Sequence, residues 1–145
     1  MAKVEDIMTN GFSPVSPSTT IQEVARQMRD SGLGTIPVCE NGKLRGLISE
    51  KGIISKIVAS GQNPEEEQAG SLMVSGGPKV PSGCDTVEAA KIMANHGVRC
   101  LPVVQNGGKL VGMLTLDDLV KESIVLATMV LATSNGSRPA SSGKK

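Results

Sequence analysis

Thr115 and Asp118 stand three residues apart in the stretch Gly112-Met113-Leu114-Thr115-Leu116-Asp117-Asp118, where an apolar strand gives way to a helix. A hydroxyl at the end of a strand and a carboxylate in the first helical turn meet at one helix mouth. The carboxylate can accept two hydrogen bonds from a vicinal diol such as a ribose. The hydroxyl and the adjacent backbone N–H groups can meet a sugar or phosphate oxygen. Upstream, Val98 to Pro102 reads as an apolar wall edged by backbone, with Val98, Cys100 and Pro102 placed to flank a purine. Arg99, within that wall, offers a planar guanidinium fork to a phosphate. The same Thr115/Asp118 spacing is also that of an ordinary helix N-cap, and Asp117-Asp118 is open to a second reading as a Mg²⁺ pair.

Catalytic chemistry finds little support. The single histidine, His96, precedes a helix-ending glycine and reads as a surface residue at the helix C-terminus. The three cysteines, Cys39, Cys84 and Cys100, form no CxxC and lie far apart. One His with scattered Cys does not make a metal centre. Cys100 sits in a strand and reads as a small core or cleft residue. No nucleophile–base pair, Walker loop or dinucleotide fingerprint is present. The reading is a ligand-binding protein that is not an enzyme and uses no catalytic cofactor or metal.

The elements that position these residues occur twice. Asp6-Ile-Met-Thr9, Ala25-Arg-Gln-Met28 and Gly32-Leu-Gly-Thr-Ile-Pro-Val38 return as Ser71-Leu-Met-Val74, Ala90-Lys-Ile-Met93 and Gly97-Val-Arg-Cys-Leu-Pro-Val103. After one inserted residue near Asn106, Gly46-Leu-Ile-Ser49 returns as Gly112-Met-Leu-Thr115. Such a repeat means one unit used twice. Each copy is about 60 residues, where a private core is marginal, so a shared core is expected.

Within a copy the order reads strand, helix, strand, strand, helix. Thr20 with Glu23 three residues on has capping-box spacing, and Ile21, Val24, Ala25 and Met28 predict a helix closed by Gly32. Asn41-Gly42 predicts a two-residue hairpin between strands 35–39 and 44–49. A helix is expected from Glu50 to about Ser60, and a short joining helix from Pro64 to Met73. In the second copy a helix is expected over Thr86 to His96, with Thr86 set opposite Thr20 at the cost of a one-residue gap. A hairpin of 100–104 with 110–115 follows, then one helix from Leu116 to about Ala132. The domain boundaries are 4–60 and 71–126, joined by a linker at 61–70, with a disordered tail over 134–145.

The 145-residue chain carries a net charge of +1 and one Phe, without Trp or Tyr. Near-neutral charge and missing aromatic platforms argue against nucleic acid as a partner. The most apolar run, Ile124 to Ala132, is too short to span a membrane. The odd cysteine count fits a reducing cytoplasm better than a disulfide scaffold.

Taken together, the two copies resemble a tandem pair of CBS (cystathionine-beta-synthase-type) domains, a Bateman module, over about residues 4 to 125. The resemblance rests on Asp6-Ile-Met-Thr9, Thr20-Ile-Gln-Glu-Val-Ala25, Gly32 to Val38 and Gly46-Leu-Ile-Ser49, and on Thr86-Val87, Ala90 to Met93, His96 to Val104 and Gly112 to Asp118. It implies an α/β (α+β) fold of two β-α-β-β-α units packed with pseudo-two-fold symmetry, and homodimers shaped as flat discs. It implies regulatory binding of AMP, ADP or ATP, or of S-adenosylmethionine, in clefts between the units, with output through dimer geometry or an effector protein. In the family a Gly-h-h-Ser/Thr-x-x-Asp stretch holds the ribose. Thr115 and Asp118 match it. In the first copy Ser49 matches, but Gly52 stands where the Asp belongs, so the two sites are expected to be unequal. The alternative is an interaction module with no physiological small ligand.

Overall fold

A computed structural model describes residues 2–136 of the chain, with side chains through residue 132. The elements are α1 (Val4–Ile7), α2 (Ile21–Ser31), β1 (Thr35–Glu40), β2 (Lys43–Ser49), α3 (Glu50–Ile53), α4 (Ala69–Leu72), β3 (Val80–Pro81), α5 (Thr86–His96), β4 (Cys100–Gln105), β5 (Lys109–Thr115), α6 (Leu116–Glu122) and α7 (Ile124–Gly136). They form two compact units, neither continuous in sequence. One holds residues 11–77 with 106–110, and the other, within the described residues, holds 2–10, 78–105 and 111–136.

The first of these units is built as its sequence suggests. The Thr20 hydroxyl caps α2 by accepting from the Glu23 N–H at 3.2 Å, and Gly32 closes it with a left-handed φ of 75°. Ile21, Val24 and Met28 face inward, one helical turn apart. β1 and β2 pair antiparallel around Asn41 and Gly42, both at positive φ, as a primed two-residue turn requires. Val15 bridges β1 in parallel at Val38.

The second unit repeats the plan. β3 runs parallel to β4, β5 lies beside β4, and α5 ends at Gly97 in the left-handed region. The cap of α5 is Asp85, whose side chain accepts from Val87 N–H at 3.2 Å, so Asp85 rather than Thr86 occupies the position of Thr20 and the repeat needs no gap there. Thr86 is the first helical residue and is buried.

The buried apolar residues gather in two clusters, one in each unit, and each cluster draws on both copies of the repeat. One gathers Val15, Ile21, Val24, Ile36, Val38, Ile48 and Ile57 with Ala69 and Leu72. The other gathers Val80, Ala89, Ala90, Met93, Leu101, Val103, Leu114 and Leu119 with Val4. The physical reason is an exchange of lead-in segments: each copy's opening residues complete the other copy's core. Thr86 N–H donates to Ala2 C=O, Val4 N–H to Cys84 C=O and Glu5 N–H to Ser82 C=O. At the corresponding positions Ile21 N–H donates to Glu67 C=O, Ala69 N–H to Thr19 C=O and Gly70 N–H to Pro17 C=O. Full burial of Val4 and Ala69 adds apolar transfer to these bonds, about 1.5–3 kcal/mol for the valine.

Other departures follow from local chemistry. The Glu50–Ser60 helix keeps only one α turn and widens to a π turn over Ile54–Val58, where Ala59 N–H reaches Ile54 C=O at 2.8 Å. Gly52 weakens its start, and the Ser55 hydroxyl donates to Lys51 C=O at 2.6 Å. The joining helix shrinks to Ala69–Leu72, because the Pro64 and Glu67 carbonyls are spent on the N–H groups of Gln22 and Ile21. The last helix breaks at Ser123, which is extended (φ −161°, ψ 120°) and whose hydroxyl accepts from Leu126 N–H. α7 then packs Leu126, Ala127 and Val130 inward, which buries Ala90 and Ala94 of α5 where Ala25 and Arg29 of α2 face solvent. Of the tail expected over 134–145, the first three residues belong to α7, and 137–145 lie outside the described residues. Among the described residues no helix is long and apolar enough to cross a membrane.

Gly46 and Gly112, equivalent strand glycines, lie under the exchanged lead-ins: a Cβ at Gly46 would come within 3.0 Å of the Val74 backbone oxygen, and one at Gly112 would run into the Met8 side chain. Gly46→Ala is expected to lower the unfolding free energy by about 1–3 kcal/mol. Gly11→Ala, which meets open space, should leave it near wild type. Urea denaturation followed by far-ultraviolet circular dichroism decides this, and equal midpoints for the two variants would contradict it.

Candidate functional site

β5 ends and α6 begins at Thr115, and the turn between them is closed by reciprocal bonds. The Thr115 hydroxyl accepts from Asp118 N–H at 3.2 Å, while Asp118 Oδ2 accepts from Thr115 N–H at 2.8 Å. This is a capping box with Asp as its acid. The N-cap reading and the functional reading of the pair thus describe the same atoms. Asp118 is only 8 % exposed, and among the described residues no Lys or Arg stands within salt-bridge distance of it. A buried carboxylate without a cation depends on hydrogen-bond donors.

A second donor comes from a residue that the sequence reading passed over. The Thr9 hydroxyl lies 3.2 Å from both Asp118 Oδ1 and Oδ2. Thr9 is fixed by two backbone bonds with Met113, at 2.8 and 3.0 Å. The repeat carried a signal for it, since Thr9 is matched by Val74 just as Asp118 is matched by Gly52.

The segment 98–102 is drawn to the same turn. Leu116 N–H donates to Arg99 C=O at 2.9 Å, which ties the start of β4 to the start of α6. Val98 is half-buried, Pro102 is buried, and the Arg99 side chain is exposed with no ion pair among the described residues. Cys100 lies close enough to Asp118 to sense its charge. Burial first, and that carboxylate second, push the Cys100 thiol up to about 12. A thiol so disposed stays protonated and is a poor nucleophile. Burial likewise raises Cys39 and Cys84. His96 is exposed, its Nδ1 at 3.0 Å from Ile92 C=O. Among the described residues no three His, Cys, Asp or Glu converge on a point that could hold a metal.

In the first copy the Ser49 hydroxyl caps α3 by accepting from Gly52 N–H at 3.0 Å, and Glu50 N–H donates to Gly34 C=O as Leu116 does to Arg99. The backbone frame is therefore retained while the carboxylate is missing. Arg45 is engaged with Glu40 at 3.1 Å, and Lys51 is exposed.

This frame, present twice, is that of a known family. The CBS domain family matches residues 4–59 and again 69–124, and the chain belongs to it as a tandem pair. Among its relatives is the CBS domain-containing protein YhcV of Bacillus subtilis, 38 % identical over 122 residues that cover 82 % of this chain and 84 % of that one. A crystal structure of Hypoxic Response Protein I with two coordinated zinc ions superimposes with a TM-score of 0.76 at 28 % identity, covering 84 % of this chain and 99 % of that one. A structure of CBSX2 in complex with AMP shares the fold at a TM-score of 0.75 and 24 % identity, covering 87 % of this chain and 98 % of that one.

Two outcomes are expected. Asp118→Ala strips Thr115 N–H and the Thr9 hydroxyl of their acceptor and should cost about 1–3 kcal/mol of stability in urea. The Cys100 thiol titrates near its ordinary 9.0 when unfolded but at about 12 when folded, so the folded state favours the protonated form. Its contribution is complete below pH 9 and is lost as pH rises toward 12. The fall in urea midpoint over that interval should be shallower in Cys100→Ala, and superimposable pH profiles would contradict this.

Proposed function

We propose that this protein is a regulatory module that binds an adenosine nucleotide (AMP, ADP or ATP, with S-adenosylmethionine as the further candidate) at Asp118, and that it acts without catalysis. The observation that carries the reading is the unfilled acceptor capacity of the buried carboxylate. Asp118 has about four lone-pair positions. One N–H from Thr115 and one hydroxyl proton from Thr9, shared between both oxygens, occupy two of them. Two remain, the number that a ribose 2′,3′-diol donates.

The neighbours support the same class. Val98, Cys100 and Pro102 supply an uncharged wall for a purine, with the Cys100 thiol held neutral. The Arg99 side chain, exposed and without an ion pair among the described residues, supplies a cation for phosphate. A single arginine favours a monophosphate over a triphosphate, and AMP is the ligand found with the fold-level neighbour CBSX2. Ser49 alone, with Gly52 in place of a carboxylate, supports a weak or vacant first-copy site. The three free cysteines fit a reducing cytoplasm.

Among the described residues the surface offers a contact class for a second chain. Ile54 and Val58 are 61 % and 69 % exposed, and Val120 and Ile124, at the equivalent positions of the second copy, are 44 % and 68 % exposed. Apolar side chains displayed twice in the same place suit a homodimer. They also favour the second reading, an interaction module for an effector protein with no small ligand.

Isothermal titration with AMP, ADP, ATP and S-adenosylmethionine separates the two. Saturable heat at one site per chain, abolished in Asp118→Ala, is expected. Absence of heat with all four ligands, beside an intact dimer, would leave the interaction reading standing alone.

A further inference from the structure

The Thr9–Asp118 contact is more than a helix cap needs. Capping of α6 is complete once Asp118 Oδ2 accepts from Thr115 N–H and the Thr115 hydroxyl accepts from Asp118 N–H. Thr9 adds a donor that reaches Oδ1 as well, and it is the only protein donor at that oxygen among the described residues. It comes from the exchanged lead-in, 109 residues away in sequence. Two backbone bonds to Met113 leave it little freedom to move off.

The other unit holds the matching control. Val74 sits in the same backbone bridge, its N–H and C=O paired with Leu47 at 2.9 and 3.0 Å. Valine has the shape of threonine without the hydroxyl. The acid position it faces in the repeat is Gly52. Hydroxyl and carboxylate are thus present together in one unit and absent together in the other, while the backbone around both is kept.

We infer that Thr9 is a positioning residue of the ligand site: its hydroxyl fixes the Asp118 carboxylate for a diol, and the pair, transplanted to positions 74 and 52, creates a second site for the same ligand class. The inference rests on the nucleotide-binding reading. A carboxylate buried without a cation and held by a single backbone N–H can rotate, and a ligand would have to order it. Holding both oxygens removes that cost before the ligand arrives. The first copy can accept the transplant. Gly52 has no positive φ, and a Cβ there meets only the Ser49 side-chain oxygen, at 3.3 Å.

The probe is AMP, followed by calorimetry. Thr9→Val keeps the shape already tolerated at Val74 and should weaken binding about tenfold, the worth of one hydrogen bond to a charged group. Thr9→Ser restores the hydroxyl and should bind within about twofold of wild type. The double variant Gly52→Asp with Val74→Thr should raise the stoichiometry from one site per chain to two, whereas Gly52→Asp alone should not. Unchanged affinity in Thr9→Val, or a full second site from Gly52→Asp alone, overturns the inference. A ligand-free measurement separates this from failure of the nucleotide reading. In a urea double-mutant cycle, Thr9→Val and Asp118→Asn should be coupled by about tenfold in the unfolding constant. Additive effects overturn the pairing whether or not AMP binds.

Discussion

The exchange of lead-in segments is the constraint on which the rest depends. A CBS-sized unit is too small to close its own core comfortably. Here each core is sealed by a few residues borrowed from the other copy: Val4 on one side, Ala69 and Leu72 on the other. The borrowed segments lie across the strand glycines Gly46 and Gly112, whose missing side chains leave room for the Val74 backbone and the Met8 side chain respectively. Because Thr9 follows α1 after a single residue, Met8, the segment that seals the core also delivers a hydroxyl to Asp118. Core closure and site geometry are set by one set of contacts.

The two copies show how a repeat diverges without losing its frame. The hydrogen bonds that hold the lead-ins, and those from residues 50 and 116 to carbonyls 34 and 99, are the same in both. What differs is side-chain chemistry: Asp118 against Gly52, Thr9 against Val74, Arg99 against Gly34. Backbone bonds tolerate almost any side chain, so the fold survives while one copy keeps the polar set and the other does not. α7 adds a second asymmetry. It covers the outer face of α5, and the small side chains of Ala90 and Ala94 allow it to pack there, where the first copy carries Arg29.

Much of this was legible in the residues. Helix α2 with its Thr20 cap and Gly32 stop, the Asn41-Gly42 hairpin, and helix α5 follow from short-range rules that involve neighbours in sequence. The Thr115/Asp118 pair was legible for the same reason, since its cap is local. What escaped was non-local. Thr9 lies far from Asp118 along the chain, and only the fold brings them together. Periodicity shows which face of an element is apolar, not which copy it packs against, so the borrowing of Val4, Ala69 and Leu72 was not legible. The joining helix over 64–73 and the unbroken helix after Leu116 failed because carbonyls and hydroxyls at Pro64, Glu67 and Ser123 found partners that helix propensity does not register.

The exchanged lead-ins also impose an order on how the chain can be made. Residues 2–9 leave the ribosome ahead of the rest of both copies, yet their hydrogen-bond partners lie at residues 82–86 and 113. Ile7 and Met8 therefore wait, uncovered, until most of the second copy has been synthesised. The unit around α2 can assemble most of its core as soon as residue 77 emerges, with only 106–110 still to add. During translation the two copies thus consist for a time of a finished half and an unclaimed lead-in strip. A slow passage through codons 82–113 would lengthen the time that strip stays exposed, and with it the interval in which a chaperone can act on it.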